Sequence, residues 1–406
     1  MLWLVGSPGV GKSVITRHLV EGILGGNDRT VFPCDYIGAS FFCSYKESAS
    51  ITESDILRSL LHQLLQAYPQ CQDTVRRRLD IKLLKERTEY LMNWNLWRTI
   101  EDVLTLQGMQ YCFICLDALE ELPLKTLHNL LEGFYGIVMR FSHSQPSHYL
   151  RVFVSSRPIP NFQRSLRAVH TIRIQPSDVS PQIKKFLQDG VRDFAKQHKS
   201  FAHATNQSLR DKVTRKIEER ADGMFLWASI AWEDFKRGLL WNHDIVEEKL
   251  KQLESTSSGI NSLYDRVIGK VDLAIRPDMW LIFEVIALTG RSLSETELGV
   301  MLAIRRSQDH VAYSHQIHPF EALDEIIEEN FPELVKIHDD GQISFTHLSF
   351  KEYLFQYWDE TNPCRLRTAR WKLAEACLTY LTLKDLVNDM DSMDWPGESP
   401  FPPLTM

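Results

Sequence analysis

The strongest constraint on the fold of this chain is an eight-residue pattern that follows a short apolar segment. Leu2–Val5 is apolar and has the length of a strand. The next residues are Gly6, Ser7, Pro8, Gly9, Val10, Gly11, Lys12 and Ser13, which read G-x-x-x-x-G-K-S. Glycines let a backbone wrap closely around oxygen atoms with its N–H groups pointing inward. Apolar residues after Lys12 recur near helical spacing, so a helix would point its positive end at the same place. The order of strand, glycine-rich loop and helix predicts a phosphate-binding loop.

The last two side chains of this loop have separate predicted roles. Lys12 supplies a mobile positive charge for the β- and γ-phosphates of a nucleotide, and Ser13 offers a hydroxyl group to Mg²⁺. Gly6–Ser13 are therefore the predicted nucleotide-binding residues. The alternative is a glycine-rich turn without a ligand. The motif indicates binding and does not by itself indicate hydrolysis.

A second apolar segment ends in acidic residues. Phe113–Leu116 reads as a buried strand, and Asp117 follows it directly. Ligands of nucleotide-binding α/β sheets lie at the carboxyl ends of the strands, so Asp117 and Ser13 are the predicted Mg²⁺ ligands. Glu121 is the preferred residue to orient or deprotonate an attacking water, and Glu120 is the alternative. Without the upstream loop, the same acids would read as the start of a solvated helix.

A third buried segment places an arginine at the tip of a strand. Arg151–Ser155 is followed by Ser156, Arg157 and Pro158. Arg157 beside a γ-phosphate could sense that group or stabilise the transferred charge. The alternative is a surface arginine that precedes a turn.

Composition limits the class of protein. A chain of 406 residues usually forms more than one domain. The net charge of −7 argues against a protein that coats nucleic acid. No apolar run reaches the roughly 20 residues of a membrane span, and no basic segment precedes an apolar start. Seven cysteines, an odd number, favour reduced thiols in a cytoplasmic, intracellular protein. Cys112 and Cys115 lie on a predicted strand, where residues three apart face opposite sides, so they read as core residues.

The chain divides into four predicted domains. These are a P-loop NTPase core at 1–175, a helical lid at 176–275, a winged-helix-like domain at 276–360 and a helix with an acidic, proline-rich tail at 361–406. In the first domain, alternating strands and helices predict a parallel sheet flanked by helices. The predicted strands are 2–5, 38–43, 112–116, 151–155 and 170–174, and the predicted helices are 12–24, 54–67, 95–106 and 125–139. The charged segment 68–94 is predicted to be a solvated helical excursion, with a nucleic-acid patch as the alternative.

The later domains have weaker signals. Asp178 is predicted to cap a helix through Ile183 and Leu187, and the apolar stripe from Met224 to Trp232 reads as core, with an adenine or partner contact as the alternative. Three helices at 280–288, 295–302 and 320–328, followed by a hairpin around Asp340-Gly341, favour a winged helix. The many acids of this region argue against a DNA-binding winged helix.

These segments together resemble the NACHT branch of the STAND NTPases. The likeness is strongest to fungal NOD-like receptor proteins with a nephrocystin-3-like N-terminal NTPase domain, and it covers about residues 1 to 360. The segments that carry the resemblance are Gly6–Ser13, Phe41-Phe42, Ser54–Leu65, Cys115–Glu121, Ser155–Pro158, Ala221–Ala228, Leu263–Val267 and Ile343–Leu354.

The resemblance implies a molecular switch that is closed with ADP and open with ATP, with Mg²⁺ as cofactor and slow hydrolysis as the reset. It implies that His347 touches the β-phosphate in the closed state, with a packed histidine at a helix start as the alternative, and it implies a homo-oligomer in the activated state. In fungi, such proteins act in non-self recognition and programmed cell death. Family members also carry an effector domain and sensing repeats, which are expected to be absent here, so the effector and sensor partners are unknown.

Some residues depart from the family pattern. Ala118 stands where the family has glycine, Glu120 stands where it has aspartate, and Gly223–Phe225 lacks the usual proline. A non-enzymatic interaction scaffold with a decayed nucleotide site is the alternative function, favoured by the expected absence of effector and sensor segments, and a small-molecule kinase is a more remote one.

Overall fold

The computed structural model describes twelve stretches of the chain. They are residues 1–24, 36–44, 51–78, 89–106, 111–144, 149–159, 169–198, 207–237, 243–255, 259–307, 311–320 and 322–385. Two compact units are present, Met1–Leu263 and Tyr264–Met406. The finer division into four domains stays a prediction.

The first unit is built on a five-stranded parallel sheet. Its strands are β1 (Leu2–Val5), β2 (Tyr36–Phe42), β3 (Tyr111–Asp117), β4 (Tyr149–Ser156) and β5 (His170–Arg173). Their order across the sheet is β2-β3-β4-β1-β5, and every neighbouring pair is parallel. The predicted α/β class is thus confirmed, and each predicted strand is present within two residues of its expected ends. Because all strands run in one direction, their carboxyl ends meet at one edge of the sheet.

Nine helices of the described residues belong wholly to this unit. They are α1 (Lys12–Leu24), α2 (Glu53–Ala67), α3 (Gln72–Arg78), α4 (Glu89–Leu104), α5 (Leu124–Ser144), α6 (Pro176–Gln197), α7 (Gln207–Ala221), α8 (Phe225–Lys236) and α9 (His243–Ser255). Helix α1 packs against β2, β3 and β4. It has the predicted bounds, whereas α4 begins six residues before the predicted start at 95. Short 3₁₀ helices occupy Pro69–Cys71 and Leu119–Glu121.

A buried carboxylate joins three of these helices. Glu53, in the first turn of α2, is only 7% exposed. Its Oε1 accepts a hydrogen bond from the indole of Trp97 at 2.7 Å, and its Oε2 accepts bonds from Asn129 at 2.8 Å and Asn93 at 3.2 Å. Neutral donors on α4 and α5 thus compensate for the loss of water around this charge.

Helices α6 to α8 pack together in the same unit. Asp178 was predicted to cap α6, but it is the third helical residue rather than the N-cap. The N-cap is Gln175, whose N–H donates to Asp178 Oδ2 at 2.8 Å. The side chain still satisfies a backbone donor at the helix start, so the predicted physical role is kept while the position differs by three residues.

The second unit combines six helices of the described residues with a small sheet. Its helices are α10 (Ile260–Lys270), which begins before the boundary of the unit, α11 (Arg276–Leu288), α12 (Glu295–Arg306), α13 (Leu323–Asn330), α14 (Leu348–Thr361) and α15 (Arg365–Leu381). The strands β6 (Leu293–Ser294), β7 (Val335–Ile337) and β8 (Gln342–Phe345) form an antiparallel sheet of order β6-β8-β7.

The predicted hairpin is present, with Gly341 at φ +74° in its turn. Three helices followed by a hairpin is the element order expected of a winged helix, and the assignment to that fold stays a prediction. The core around these helices and the hairpin contains several buried aromatic rings. Most of them meet edge to face, and they belong to Phe283, Phe331, Phe345 and Phe350.

Parts of two sequence predictions lie outside the described residues. These parts are 79–88, in the centre of the charged segment, and the acidic, proline-rich tail from 386 onward. The described parts of segment 68–94 are the 3₁₀ helix, α3 and the first turns of α4. No helix in the described part of the chain combines the length and apolar character needed to cross a bilayer.

Two glycines of α5 differ in the space around them and give a matched test of this packing. A Cβ at Gly133 would lie 2.6 Å from the indole atoms Cε2 and Cη2 of Trp97, whereas a Cβ at Gly136 would meet only the mobile end of Arg140 at 3.3 Å. We expect Gly133→Ala to destabilise the protein by about 1–3 kcal/mol, because the ring that binds Glu53 must move. Gly136→Ala should stabilise it by about 0.5–1 kcal/mol through helix propensity. Chemical denaturation measures both, and equal effects of the two changes would contradict the packing described.

Candidate functional site

The strand order places the three predicted motifs side by side. The phosphate-binding loop connects β1 to α1, Asp117 ends β3, and the segment Ser155–Arg157 begins at the end of β4. In the sheet, β4 lies between β1 and β3. The tip of β4 is tied to β1 because the indole of Trp3 donates to Ser156 Oγ at 2.9 Å and Gly6 N–H donates to the Ser156 carbonyl at 3.3 Å. All three motifs therefore meet at one edge.

Lys12 is folded back into its own loop. Its side chain is 8% exposed, and Nζ donates to the carbonyls of Gly6 at 3.0 Å and Ser7 at 3.1 Å. Burial lowers the pKa of Lys12, since removal of water disfavours the charged form. The nearby charges of Glu120, Asp117 and Glu121 act in the opposite direction, and that of Arg157 acts in the same direction as burial. These effects place the other four side chains within electrostatic reach of Lys12.

Asp117 is held by two hydroxyl groups. The carboxylate is 2% exposed, and its Oδ1 accepts hydrogen bonds from Thr16 at 2.8 Å and from Ser155. Thr16 lies on α1, one turn after Lys12, and Ser155 lies on β4. The carboxylate thus joins β3 to the helix that follows the loop and to the neighbouring strand.

Ser155 also fixes the backbone just after the carboxylate. Its Oγ accepts a hydrogen bond from the N–H of Ala118 at 3.2 Å. Ala118 has φ +54°, a left-handed conformation that is uncommon for a residue with a Cβ. Glycine would adopt this conformation without strain, and Ala118 adopts it here despite its Cβ. This turn starts the 3₁₀ helix that carries Glu120 and Glu121.

Glu120 forms an ion pair with Arg157. Their side chains are 13% and 19% exposed, and Arg157 Nε lies 3.4 Å from Glu120 Oε1. Glu120 Oε2 is buried and makes no hydrogen bond with any described residue. A buried carboxylate oxygen without a donor is costly, so this atom has unused capacity to accept a hydrogen bond.

Cys43 lies next to the acidic residues. It follows β2, and its N–H donates to the Asp117 carbonyl at 3.1 Å. Burial, together with the charges of Glu121, Asp117 and Glu120, raises the pKa of its thiol well above the usual range. The protonated thiol is a poor nucleophile, so Cys43 is a packing residue of this edge. Cys112 and Cys115 are likewise buried thiols with raised pKa values of about 12, as expected for core cysteines.

The start of α8 contacts the phosphate-binding loop. The N–H of Leu226 donates to the Gly9 carbonyl at 3.1 Å, and Phe225 Cδ2 lies 3.9 Å from where a Cβ of Gly11 would be. Trp227, Ile230 and Trp232 of the same apolar stripe are buried, as the core interpretation requires. The stripe therefore makes two kinds of contact: its first residues contact the loop, and its later residues pack in the core.

The residues present fit a magnesium ion bound together with a nucleotide. Mg²⁺ prefers oxygen ligands and commonly takes one or two carboxylates along with phosphates and water. Asp117 offers a carboxylate and Ser13 an exposed hydroxyl on the first turn of α1. Among the described residues, no group of three histidine, cysteine or acidic side chains could bind a metal ion without a nucleotide.

Sequence reasoning found the charged residues of the site and the hydroxyl group of Ser13, but it missed the two hydroxyl groups that hold Asp117. Lys12, Asp117, Glu120, Glu121 and Arg157 lie together. Thr16 and Ser155 were not predicted, although their positions one turn after Lys12 and at the end of a strand were signals available in the sequence. His347 belongs to the second unit. Its Nδ1 accepts a hydrogen bond from Ser349 N–H at 3.0 Å as the N-cap of α14, and its contact with a nucleotide stays a prediction.

The hydroxyl groups around Asp117 give the first test of the site. We expect Ser155→Ala to weaken the Mg²⁺-dependent part of ADP binding by roughly tenfold, because a hydrogen bond to a charged group contributes about 1.5–3 kcal/mol. Binding without Mg²⁺ should change less than about twofold. Calorimetric titration with and without Mg²⁺ measures both.

The control for this test is Thr171→Val, which removes a hydroxyl group from β5 that donates to the Val169 carbonyl within its own segment. It should leave both affinities unchanged. Equal Mg²⁺ dependence in Ser155→Ala and the unchanged protein would show that the carboxylate needs no such support.

Comparisons with known proteins give a family match over the first part of the chain. The family model described as "Nephrocystin 3, N-terminal" matches residues 1–157, which include the loop, Asp117 and Arg157. A search of curated proteins found no match.

Solved structures with distant similarity include the Aeropyrum pernix ORC2 protein and Drosophila ORC. The ADP form of ORC2 is 13% identical, with a TM-score of 0.32 over 88% of this chain and 87% of that one. The ADPNP-ADP complexes of ORC2 are 11% identical, with a TM-score of 0.33 over 94% and 88%. Drosophila ORC bound to DNA is 11% identical, with a TM-score of 0.35 over 87% and 80%. These scores are low, and the strand order above defines the fold. The first 157 residues are therefore similar to the N-terminal region of nephrocystin 3.

Proposed function

We propose that this protein is a nucleotide-dependent switch that binds ATP or ADP with Mg²⁺ and hydrolyses ATP slowly. The observation that carries the proposal is the meeting of Lys12, Asp117, Glu120, Glu121 and Arg157 at the carboxyl edge of the sheet. A triphosphate placed there finds a cation, loop amides and a carboxylate for its metal ion.

Binding begins with the lysine. Lys12 donates to two neutral carbonyls of its own loop. Phosphate oxygens are stronger acceptors for an ammonium group because the bond is then charged on both sides. A bound nucleotide would therefore draw Nζ from the Gly6 and Ser7 carbonyls to the phosphates. The same phosphates would accept hydrogen bonds from the amides of the loop and would lie at the positive end of α1.

The difference between ATP and ADP can be detected at the Glu120–Arg157 pair. Glu120 is an anionic partner of Arg157, with Oε1 3.4 Å from Nε, and it is also the strongest charge acting on Lys12. A γ-phosphate offers both cations a more highly charged partner. It would release Glu120 from the ion pair, whereas ADP would leave the pair in place.

Hydrolysis requires a base or an orienting group for water. Glu121 is our first candidate, and Glu120 is the second. Glu120 Oε2 is already a buried acceptor without a hydrogen bond among the described residues. Mg²⁺, when bound, supplies charge stabilisation on the phosphates. Asp117, fixed by Thr16 and Ser155, would hold the ion in position.

The finer assignment to a NOD-like receptor switch rests on the sequence resemblance. Turning a closed to open ratio of 1:99 into 99:1 requires about 5.5 kcal/mol of differential nucleotide affinity. Exchange of the partner of Arg157 can supply part of it, and His347 is the proposed closed-state contact. A role in fungal cell death and a homo-oligomeric active state belong to the same proposal, as does a cytoplasmic location.

The charge of Lys12 gives a pH test of the binding step. Because burial lowers its pKa below the ordinary 10.5, the charged form is present below the lowered value and is lost as pH rises through it. ADP affinity should therefore fall at a lower pH than for an ordinary lysine, by up to about tenfold per pH unit. Lys12→Arg keeps its charge throughout, so its affinity should stay level. Titrations from about pH 7 to about pH 10 compare the two proteins, and parallel curves would contradict the role of Lys12.

Turnover separates the switch from the scaffold. We expect the unchanged protein to release phosphate from ATP at a slow rate, and Glu121→Gln to reduce that rate by about 100-fold while keeping ATP affinity. Glu120→Gln should reduce it less and should weaken discrimination between ATP and ADP, because Arg157 loses its resting partner. Lys12→Ala is the control without binding. Absence of turnover together with absence of nucleotide binding in the unchanged protein would support the scaffold.

A further inference from the structure

We infer that Leu226 is a positioning residue for the phosphate-binding loop, and that helix α8 thereby sets the affinity of the loop for nucleotide. The inference rests on the proposed function. It is carried by one backbone hydrogen bond, from Leu226 N–H to the Gly9 carbonyl at 3.1 Å. The sequence pattern predicted core packing for this segment, with an adenine or partner contact as the alternative, and gave it no role in shaping the loop.

The start of α8 is built to donate this bond. Phe225 is the first helical residue, Leu226 is the second, and the N-cap Met224 makes no side-chain cap. The first N–H groups of a helix have no partner within the helix. One of them is thus available, and the Gly9 carbonyl accepts its hydrogen bond.

The turn before α8 has a fixed conformation. Asp222 and Gly223 have φ angles of +44° and +75°, and Met224 N–H donates to the Ala221 carbonyl at 2.8 Å. A Cβ at Gly223 would lie 2.7 Å from Pro176 Cβ, so the turn packs tightly against the start of α6. The helix start is therefore held in place independently of the loop that it contacts.

The loop side of the contact is equally close. Gly9 has φ +73°, and a Cβ there would lie 2.6 Å from Leu226 Cβ and 3.1 Å from Met224 Cγ. Two constraints thus favour glycine at this position: the left-handed backbone conformation and the close approach of α8.

The orientation of one peptide plane links this contact to phosphate binding. None of the described peptide bonds is cis. In a trans peptide, the carbonyl oxygen and the next N–H point in opposite directions. Because the Gly9 carbonyl points at α8, the N–H of Val10 points away from α8. That amide belongs to the set that a phosphate-binding loop offers to its ligand. Leu226 would thereby hold a phosphate-binding amide in its working direction before the nucleotide arrives.

Coupling of this kind is reciprocal. If the bond to Leu226 favours the loop conformation that binds phosphate, then a bound phosphate must favour the bond to Leu226 by the same factor. Nucleotide occupancy would therefore be transmitted to the helical segment α6–α8 through the backbone, without a side chain that contacts the ligand.

The test removes the donor and keeps the helix. Leu226→Pro eliminates the N–H in the first turn of a helix, where proline is tolerated. Leu226→Ala removes the side chain and keeps the N–H. Ser208→Pro makes the matched change at the second residue of α7, which is exposed. Calorimetric titration with ADP should show a loss of about 5- to 10-fold for Leu226→Pro and less than about twofold for the other two variants.

A measurement on the unchanged protein covers the case in which Leu226→Pro does not fold. ADP should slow amide hydrogen exchange at Leu226 by about tenfold or more, because the bond to Gly9 opens less often. ADP binding with unchanged exchange at Leu226 overturns the inference and leaves the proposed function standing. Full affinity in a folded Leu226→Pro variant, or an equal loss in Leu226→Ala, overturns it as well. Failure of the unchanged protein to bind ADP overturns the proposed function, and the inference with it.

Discussion

The hydrogen bonds to the Asp117 carboxylate are the interaction on which the arrangement of the site depends. Thr16 and Ser155 approach the same oxygen from α1 and from β4, and the strand that carries Asp117 is β3. A carboxylate that is 2% exposed needs such donors in place of the water that burial removes. The donors that stabilise the charge also fix the distance between the loop helix and the acidic edge. One buried anion thus aligns the cation of the loop with the residues that could act on a phosphate.

Much of this domain could be predicted from the sequence because its signals are local. A strand, a glycine-rich loop and a helix follow one another within 24 residues, and α1 begins at Lys12 as expected. The apolar runs before Asp117 and Arg157 are continuous, as is typical of buried parallel strands. Binding residues at the ends of such strands follow from the common direction of the sheet. The hairpin around Gly341 was predictable for a comparable reason, since its turn chemistry is contained in a few residues.

Other features depend on contacts between distant parts of the chain. The insertion of β4 between β1 and β3 is a property of the sheet order, and it alone brings Ser155 to Asp117, 38 residues away. The contact of Leu226 with Gly9 joins residues separated by more than 200 positions. The hydrophobic periodicity of a sequence does not indicate which distant residues will contact one another. The shift of the α6 cap from Asp178 to Gln175 has a smaller cause, because the third helical residue can bond back to the N-cap backbone.

The carboxylate of Glu53 has a consequence for how the first unit assembles. Its three donors come from residues 93, 97 and 129, on helices that leave the ribosome after α2. Until α5 has been synthesised, burial of the α2 N-terminus would enclose a charge without all of its partners. Helix α2 must therefore stay hydrated at that end while the chain emerges, and the corner formed by α2, α4 and α5 should close in a single cooperative step.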